Sequence, residues 1–130
     1  MNSINEKINL LINKPYKTAI DINSENEKNI CWNFCRGIFK LYNIELAEYP
    51  HQNLLQLGED RLVIPCIVLF NCKDEWHSGV LWPDGLHFIH VKFEEPLQNE
   101  ENKKPYYIVR EERLSRWPWK DLLEGYYINV

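Results

Sequence analysis

A chain of 130 residues with 45% hydrophobic residues has material for one core of ordinary size, so a single domain over 1–130 is expected. Its 15 Lys plus Arg against 19 Asp plus Glu give a net charge of -4 without a basic block, which excludes nucleic acid as a partner held by phosphate neutralisation. No stretch approaches the roughly 20 apolar residues of a membrane span, and residues 1–14 lack the apolar core of a secretory signal, so no membrane contact is expected. The protein is expected to be cytoplasmic as synthesised, with a phage particle, a lysis system or a dedicated secretion machine as routes outward.

Ser3 and Glu6 have the spacing of a capping box, and Ile4, Ile8, Leu11 and Ile12 recur at helical spacing until Lys14-Pro15 stops them. An opening helix is expected there. The polar residues 21–29 read as an exposed loop. Cys31, Phe34, Cys35, Ile38, Leu41 and Tyr42 then follow the i, i+3, i+4, i+7 pattern, which predicts a helix opening at Cys31 with its apolar stripe facing a core. Asn43 suits a left-handed cap, and residues 45–60, carrying Pro50 and Gly58, read as loop or short helix.

Residues 62–70 form a nearly continuous apolar run rich in Ile and Val, a strand with Pro65 near its start or at an edge. Residues 71–75 should turn. Two β-rich runs, 76–82 and 86–93, are joined by Pro83-Asp84-Gly85, with turn residues at the right positions for a hairpin. Residues 94–104 read as a charged loop, 106–110 as a short strand and 114–123 as a helix closed by Gly125 before a strand at 126–130. Helices first and an antiparallel sheet afterwards define an α+β fold, with the Cys31 helix packed on the sheet.

A cysteine in the first turn of a helix feels the positive end of the macrodipole, which favours thiolate. Cys31 has that position, although an isolated cysteine opening an apolar stripe is commonly just a core residue. Cys35, one turn on, fits that plainer description. A thiolate nucleophile needs an imidazole in reach, and His77, on the strand predicted at 76–82, offers one; by itself it would read as a surface histidine. Gly79 lies on the same strand face and removes a side chain where substrate or the helix would approach. His90 lies on the paired strand and is placed to fix the tautomer of His77. His87 is its competitor but points to the opposite face by strand alternation, and His51 has no evident partner.

Four cysteines, Cys31, Cys35, Cys66 and Cys72, are expected to be reduced thiols rather than bridges. A zinc site from Cys31, Cys35, His87 and His90 is conceivable by spacing but lacks a Cys-x2-Cys knuckle, so no metal and no cofactor are expected.

The run Cys31-Trp32-Asn33-Phe34-Cys35-Arg36-Gly37-Ile38-Phe39, continuing to Asn43-Ile44-Glu45-Leu46, resembles the nucleophile helix of NlpC/P60 cysteine hydrolases, closest to their phage-tail branch. His77-Ser78-Gly79-Val80 resembles the family's His-x-Gly-[IV] strand, Phe88-Ile89-His90 its third-residue strand, and Pro15-Tyr16 a Pro-Tyr step whose tyrosine helps form the oxyanion or substrate pocket. Trp117-Pro118-Trp119 and Tyr126-Tyr127 are similar to the tail branch's last helix and strand.

The resemblance implies a papain-like core, catalytic Cys31, His77 and His90, and substrate contacts at Tyr16, Trp32 and Gly79. It implies hydrolysis of an amide in peptidoglycan stem peptides, of the γ-D-glutamyl-diamino acid type, through a thioester. Phage-tail or secretion-system proteins would be the partners. The family's Asp before the cysteine is Ile30 here, and the Gly-Gly after the Pro-Tyr step is missing. Two other readings stay open: a tail or effector module that binds without turnover, and a transglutaminase-like acyl transferase.

Overall fold

The computed structural model describes residues 3–17, 30–48, 50–72, 75–94 and 106–129. The loop expected at 21–29, residues 95–104 of the loop expected at 94–104, and the centre of the turn at 73–74 lie outside the described residues, while Glu94 itself ends strand β5.

Helix α1, Ser3–Leu11, forms as its periodicity predicts and buries Ile8, with Ile4 and Ile12 packed beside it. The side chain of Ser3, and with it the capping box, lies outside the described residues. Asn13 takes a left-handed φ of 67° and donates its N–H to the Val109 carbonyl at 2.7 Å, which turns the chain onto the sheet as strand β1, Pro15–Lys17.

Helix α2, Ile30–Leu41, carries the Cys31 stripe and buries Ile30, Trp32, Phe34, Cys35, Ile38 and Phe39. It ends as the sequence predicts. Asn43 has φ 59°, its N–H reaches the Lys40 carbonyl at 2.9 Å, and the Ile44 N–H reaches the Phe39 carbonyl at 3.1 Å, the paired bonds of a Schellman motif.

The remaining strands are β2, Leu54–Leu57; β3, Ile67–Cys72; β4, Glu75–Leu81; β5, His87–Glu94; β6, Tyr106–Arg113; and β7, Leu123–Asn129. Among the described residues they join β1 in one seven-stranded sheet, ordered β1-β6-β5-β4-β3-β7-β2, with antiparallel pairing throughout. Mixed helix and antiparallel sheet make the fold α+β. Ile67, Leu69, Val80, Ile89 and Val91 face the α2 core. Val68, Phe70, Leu81 and Phe88 face a second apolar layer that includes Leu114 and Trp119. Burial on both faces is why the β3 run reads as continuously apolar rather than alternating. No helix among the described residues is long and apolar enough to cross a membrane.

Several elements differ from expectation. Strand β3 begins at Ile67 rather than residue 62, after Pro65. Residues 54–57 form β2, which the loop reading missed because this half-exposed strand is defined by its pairing with β7 (Leu54 to Asn129) rather than by its own pattern. Strand β6 runs on to Arg113, held by pairing with His87 of β5. The helix expected at 114–123 shrinks to one turn, α3, Trp119–Leu122, with Pro118 ahead of it. Gly125 therefore closes no helix. It sits inside β7, where an added Cβ would lie 2.7 Å from Gln56 Nε2.

Candidate active site

Strands β4 and β5 pair only near their hairpin, Val80 opposite Ile89 and Leu81 opposite Phe88, and part beyond. Each keeps its outer neighbour: β4 stays bonded to β3 as far as Glu75, and β5 to β6 as far as Glu94. The sheet therefore forks, and the first turn of α2 lies at the fork. A cavity of about 310 Å³ opens there, between His77 and Ser78 of β4, Val91 and Lys92 of β5, and Cys31 of α2.

This fork lets groups from opposite sides of the sheet meet. Cys31 belongs to the α2 layer, whereas His77 and His90 lie with Phe70, Phe88 and Trp119 on the other face. Cys31 Sγ is 3.3 Å from His77 Nδ1, and the Val91 carbonyl lies 3.9 Å from the same sulfur. His77 Nε2 is 2.6 Å from His90 Nδ1. His90 Nε2 is in turn 3.2 Å from Glu112 Oε2 on β6.

Aromatic rings hold the two imidazoles. Trp119 stacks on His77 with centroids 5.6 Å apart and crosses His90 nearly perpendicularly at 5.0 Å. Phe88 lies 4.8 Å from His90. His90 is 1% exposed, so its two ring nitrogens have partners and almost no water.

Burial decides the resting charges. It pushes the Cys31 thiol up to about 12, with the negative Glu75 adding to the rise, and pulls His77 down to about 3, with His90 adding to the fall. His90 is lowered by burial despite Glu112. Glu112 is held below the usual carboxylate range, first by its hydrogen bond with His90 and also by one from the Trp119 side chain. Burial thus opposes the thiolate that the helix terminus would favour, and both shifts run toward a neutral thiol beside a neutral imidazole.

The other expected site residues are placed less directly. Tyr16 packs edge-on against Phe34 at 5.5 Å, and its hydroxyl is raised by burial and then by nearby Cys35 and Cys31. Trp32 borders the cavity but is 1% exposed, and its Nε1 donates to the Ala47 carbonyl at 2.8 Å, so it is a wall anchored in the core. Gly79 leaves no room for substrate. An added Cβ there would come 2.8 Å from the Ile89 carbonyl and 2.9 Å from the Phe88 ring, so its missing side chain admits β5 instead.

His87 is excluded from the site, as strand alternation predicts, and its Nδ1 lies 2.7 Å from Asp84. Cys35 and Cys66 are buried, Cys72 is half-buried, and all four cysteines are free. Among the described residues no group of three or more His, Cys, Asp or Glu could hold a metal. The four-residue zinc set is thus not assembled.

Sequence reading missed four participants. Glu112 lies between the strand expected at 106–110 and the helix expected at 114–123 and is brought to the site by the β5–β6 register, whereas Trp119 is brought there by the one-turn helix α3. His51, beside Pro50, meets Trp32 at 5.3 Å and Trp76 at 6.5 Å on the cavity wall. Trp76 is 52% exposed at the rim of the cavity. No protein-family model matches the chain, and no curated protein matches it.

Proposed function

We propose that this chain is a cysteine hydrolase of the NlpC/P60 type, with a papain-like core, that cleaves an amide in peptidoglycan stem peptides of the γ-D-glutamyl-diamino acid type. The observation that carries the reading is the unbroken contact from Cys31 Sγ to His77 Nδ1 and from His77 Nε2 to His90 Nδ1. Nucleophile, base and orienting group in hydrogen-bond reach are what acyl transfer through a thioester requires.

The chemistry follows from the neutral resting pair. As Sγ attacks the amide carbon, the S–H bond breaks and the proton moves to His77 Nδ1, giving an imidazolium. That proton then passes to the departing amine, leaving a thioester on Cys31. Water, deprotonated by His77, attacks the thioester, the C–S bond breaks to release the acyl group as a carboxylic acid, and the proton on His77 returns to the sulfur to restore the thiol. The exposed ring of Trp76 and the half-buried Tyr107 are the apolar walls along which a peptide would lie. Delivery to the cell wall by a phage tail or a secretion system fits this substrate.

Buried Ile30, 4% exposed where the resembled family carries an acid, favours a second reading in which the same cavity binds a cell-wall peptide without turnover. Mass spectrometry of peptidoglycan digested with the protein separates the two. New stem-peptide fragments, absent with Cys31→Ser, are expected. Binding without fragments would favour the module, and transfer of the acyl group to an added amine would favour the transferase.

A further inference from the structure

We infer that Glu112 is a positioning residue that sets the direction of the whole Cys31-His77-His90 chain, so that the lone pair of the base faces the thiol. The inference deepens the hydrolase reading and rests on it for its catalytic meaning, but the arrangement itself can be tested without any substrate.

The argument starts at the carboxylate. An ionised Glu112 has only acceptors, so the nitrogen 3.2 Å away, His90 Nε2, must carry a proton and donate. A neutral imidazole has one N–H. With Nε2 protonated, His90 Nδ1 is an acceptor, and the nitrogen 2.6 Å from it, His77 Nε2, must be the donor. His77, neutral in turn, is left with a bare Nδ1, and that atom lies 3.3 Å from Cys31 Sγ. One carboxylate two rings away thus determines that the base is ready to take a proton.

Reversing the chain shows the cost of losing it. If His90 carried its proton on Nδ1, His77 would accept at Nε2, hold its own proton on Nδ1 and present a donor to the thiol. The base would then be blocked. When Cys31 gives up its proton, His77 becomes an imidazolium bonded through His90 to Glu112, whose negative charge favours that state. No proton needs to reach Glu112.

Trp119 supports the same arrangement from a second side. Its ring lies against both imidazoles, and its hydrogen bond to Glu112 leaves the carboxylate fewer alternatives to His90. Three members of the chain therefore share one clamp.

Glu112→Gln is the informative change, because an amide can offer either oxygen or NH2 to His90 Nε2 and so admits both tautomers. Two readouts apply at neutral pH: ¹⁵N NMR of the histidine rings and the rate of iodoacetamide reaction at Cys31. The wild-type protein is expected to hold His90 and His77 as single Nε2–H tautomers. Glu112→Gln should mix them and slow Cys31 alkylation roughly tenfold, the effect of one pKa unit at the base. Trp119→Phe, which keeps a ring but loses the indole N–H, should shift both readouts in the same direction by less.

A proton on His90 Nδ1 in the wild-type protein would overturn the inference, even if the variant does not fold. Unchanged tautomers and alkylation in folded Glu112→Gln would also overturn it. Tautomers that respond while Cys31 is inert in both proteins would support the role of Glu112 and instead defeat the hydrolase reading.

Discussion

At the hairpin end of β4 and β5 the strands are closed, and at the other end they fork; His87 and His90 stand on the same strand on either side of that change. At the closed end the Asp84 carboxylate accepts the N–H groups of Leu86 at 2.8 Å and His87 at 3.0 Å and lies 2.7 Å from His87 Nδ1, all at the surface. At the forked end His90 also meets a carboxylate, but with its other nitrogen on His77 and its ring 1% exposed. The same residue type with the same kind of partner is a turn lock in one place and part of a buried hydrogen-bonded chain in the other. Burial and a second histidine make the difference, because only at the forked end does the carboxylate act through one buried ring on a second.

The largest effect expected at the forked end is that of His77→Ala, which should lower turnover of peptidoglycan fragments by more than about a thousandfold, the upper range for losing a general base. His90→Ala should leave measurable activity, and His90→Asn or His90→Gln, which keep a polar partner for His77, should recover part of it. Rates and melting temperatures measured on the same preparations check this. A purely structural His90 would change the melting temperature and leave per-molecule activity alone.

Gly79→Ala tests the fork itself. The added carbon would press on the Ile89 backbone and the Phe88 ring, so a loss of about 1–3 kcal/mol in denaturant unfolding is expected, as for other overpacked cores. Activity of the folded fraction should also fall, because His90 Cβ is 3.3 Å from the same point.

The buried imidazoles also predict a pH dependence of stability. Both His77 and His90 have folded pKa values depressed below the unfolded value, His77 to about 3, so between that value and about 6.5 the unfolded chain binds more protons. Their contribution is present above about pH 6.5 and is lost as pH falls toward 3. Thermal melts from pH 8 to pH 4 should show a falling Tm below about pH 6.5, and His77→Phe should flatten that fall. The smallest effect belongs to the closed end: His87→Ala should change stability by within about 0.5 kcal/mol and leave activity untouched.

The difference between the two ends also explains what was legible in the sequence. The α2 helix, its Asn43 cap and the Pro83-Asp84-Gly85 hairpin depend on neighbours a few residues away, and each forms where the pattern places it. His77 and His90 were readable as a pair because the hairpin puts them on adjoining strands. Glu112 and Trp119 were not, since the first depends on the β5–β6 register, which pairs Phe88 with Glu112, and the second on a one-turn helix after Pro118. The helix expected at 114–123 failed for a related reason: β6 continues to Arg113 and the chain then turns, with Leu114 N–H bonded to the Leu86 carbonyl at 3.0 Å. Gly79 was identified correctly as a close approach, but it is β5 that approaches.

Brief iodoacetamide treatment of the native protein followed by peptide mapping tests most directly the proposal that Cys31 is the activated thiol of this molecule. Cys35 and Cys66 are buried, whereas Cys72 is half-buried with its thiol raised by burial and by Glu75. Exposure alone therefore makes Cys72 a competitor, and only the His77 base gives Cys31 an advantage. Dominant early labelling at Cys31, lost in His77→Ala, is the predicted result; dominant labelling at Cys72 with Cys31 untouched would contradict it.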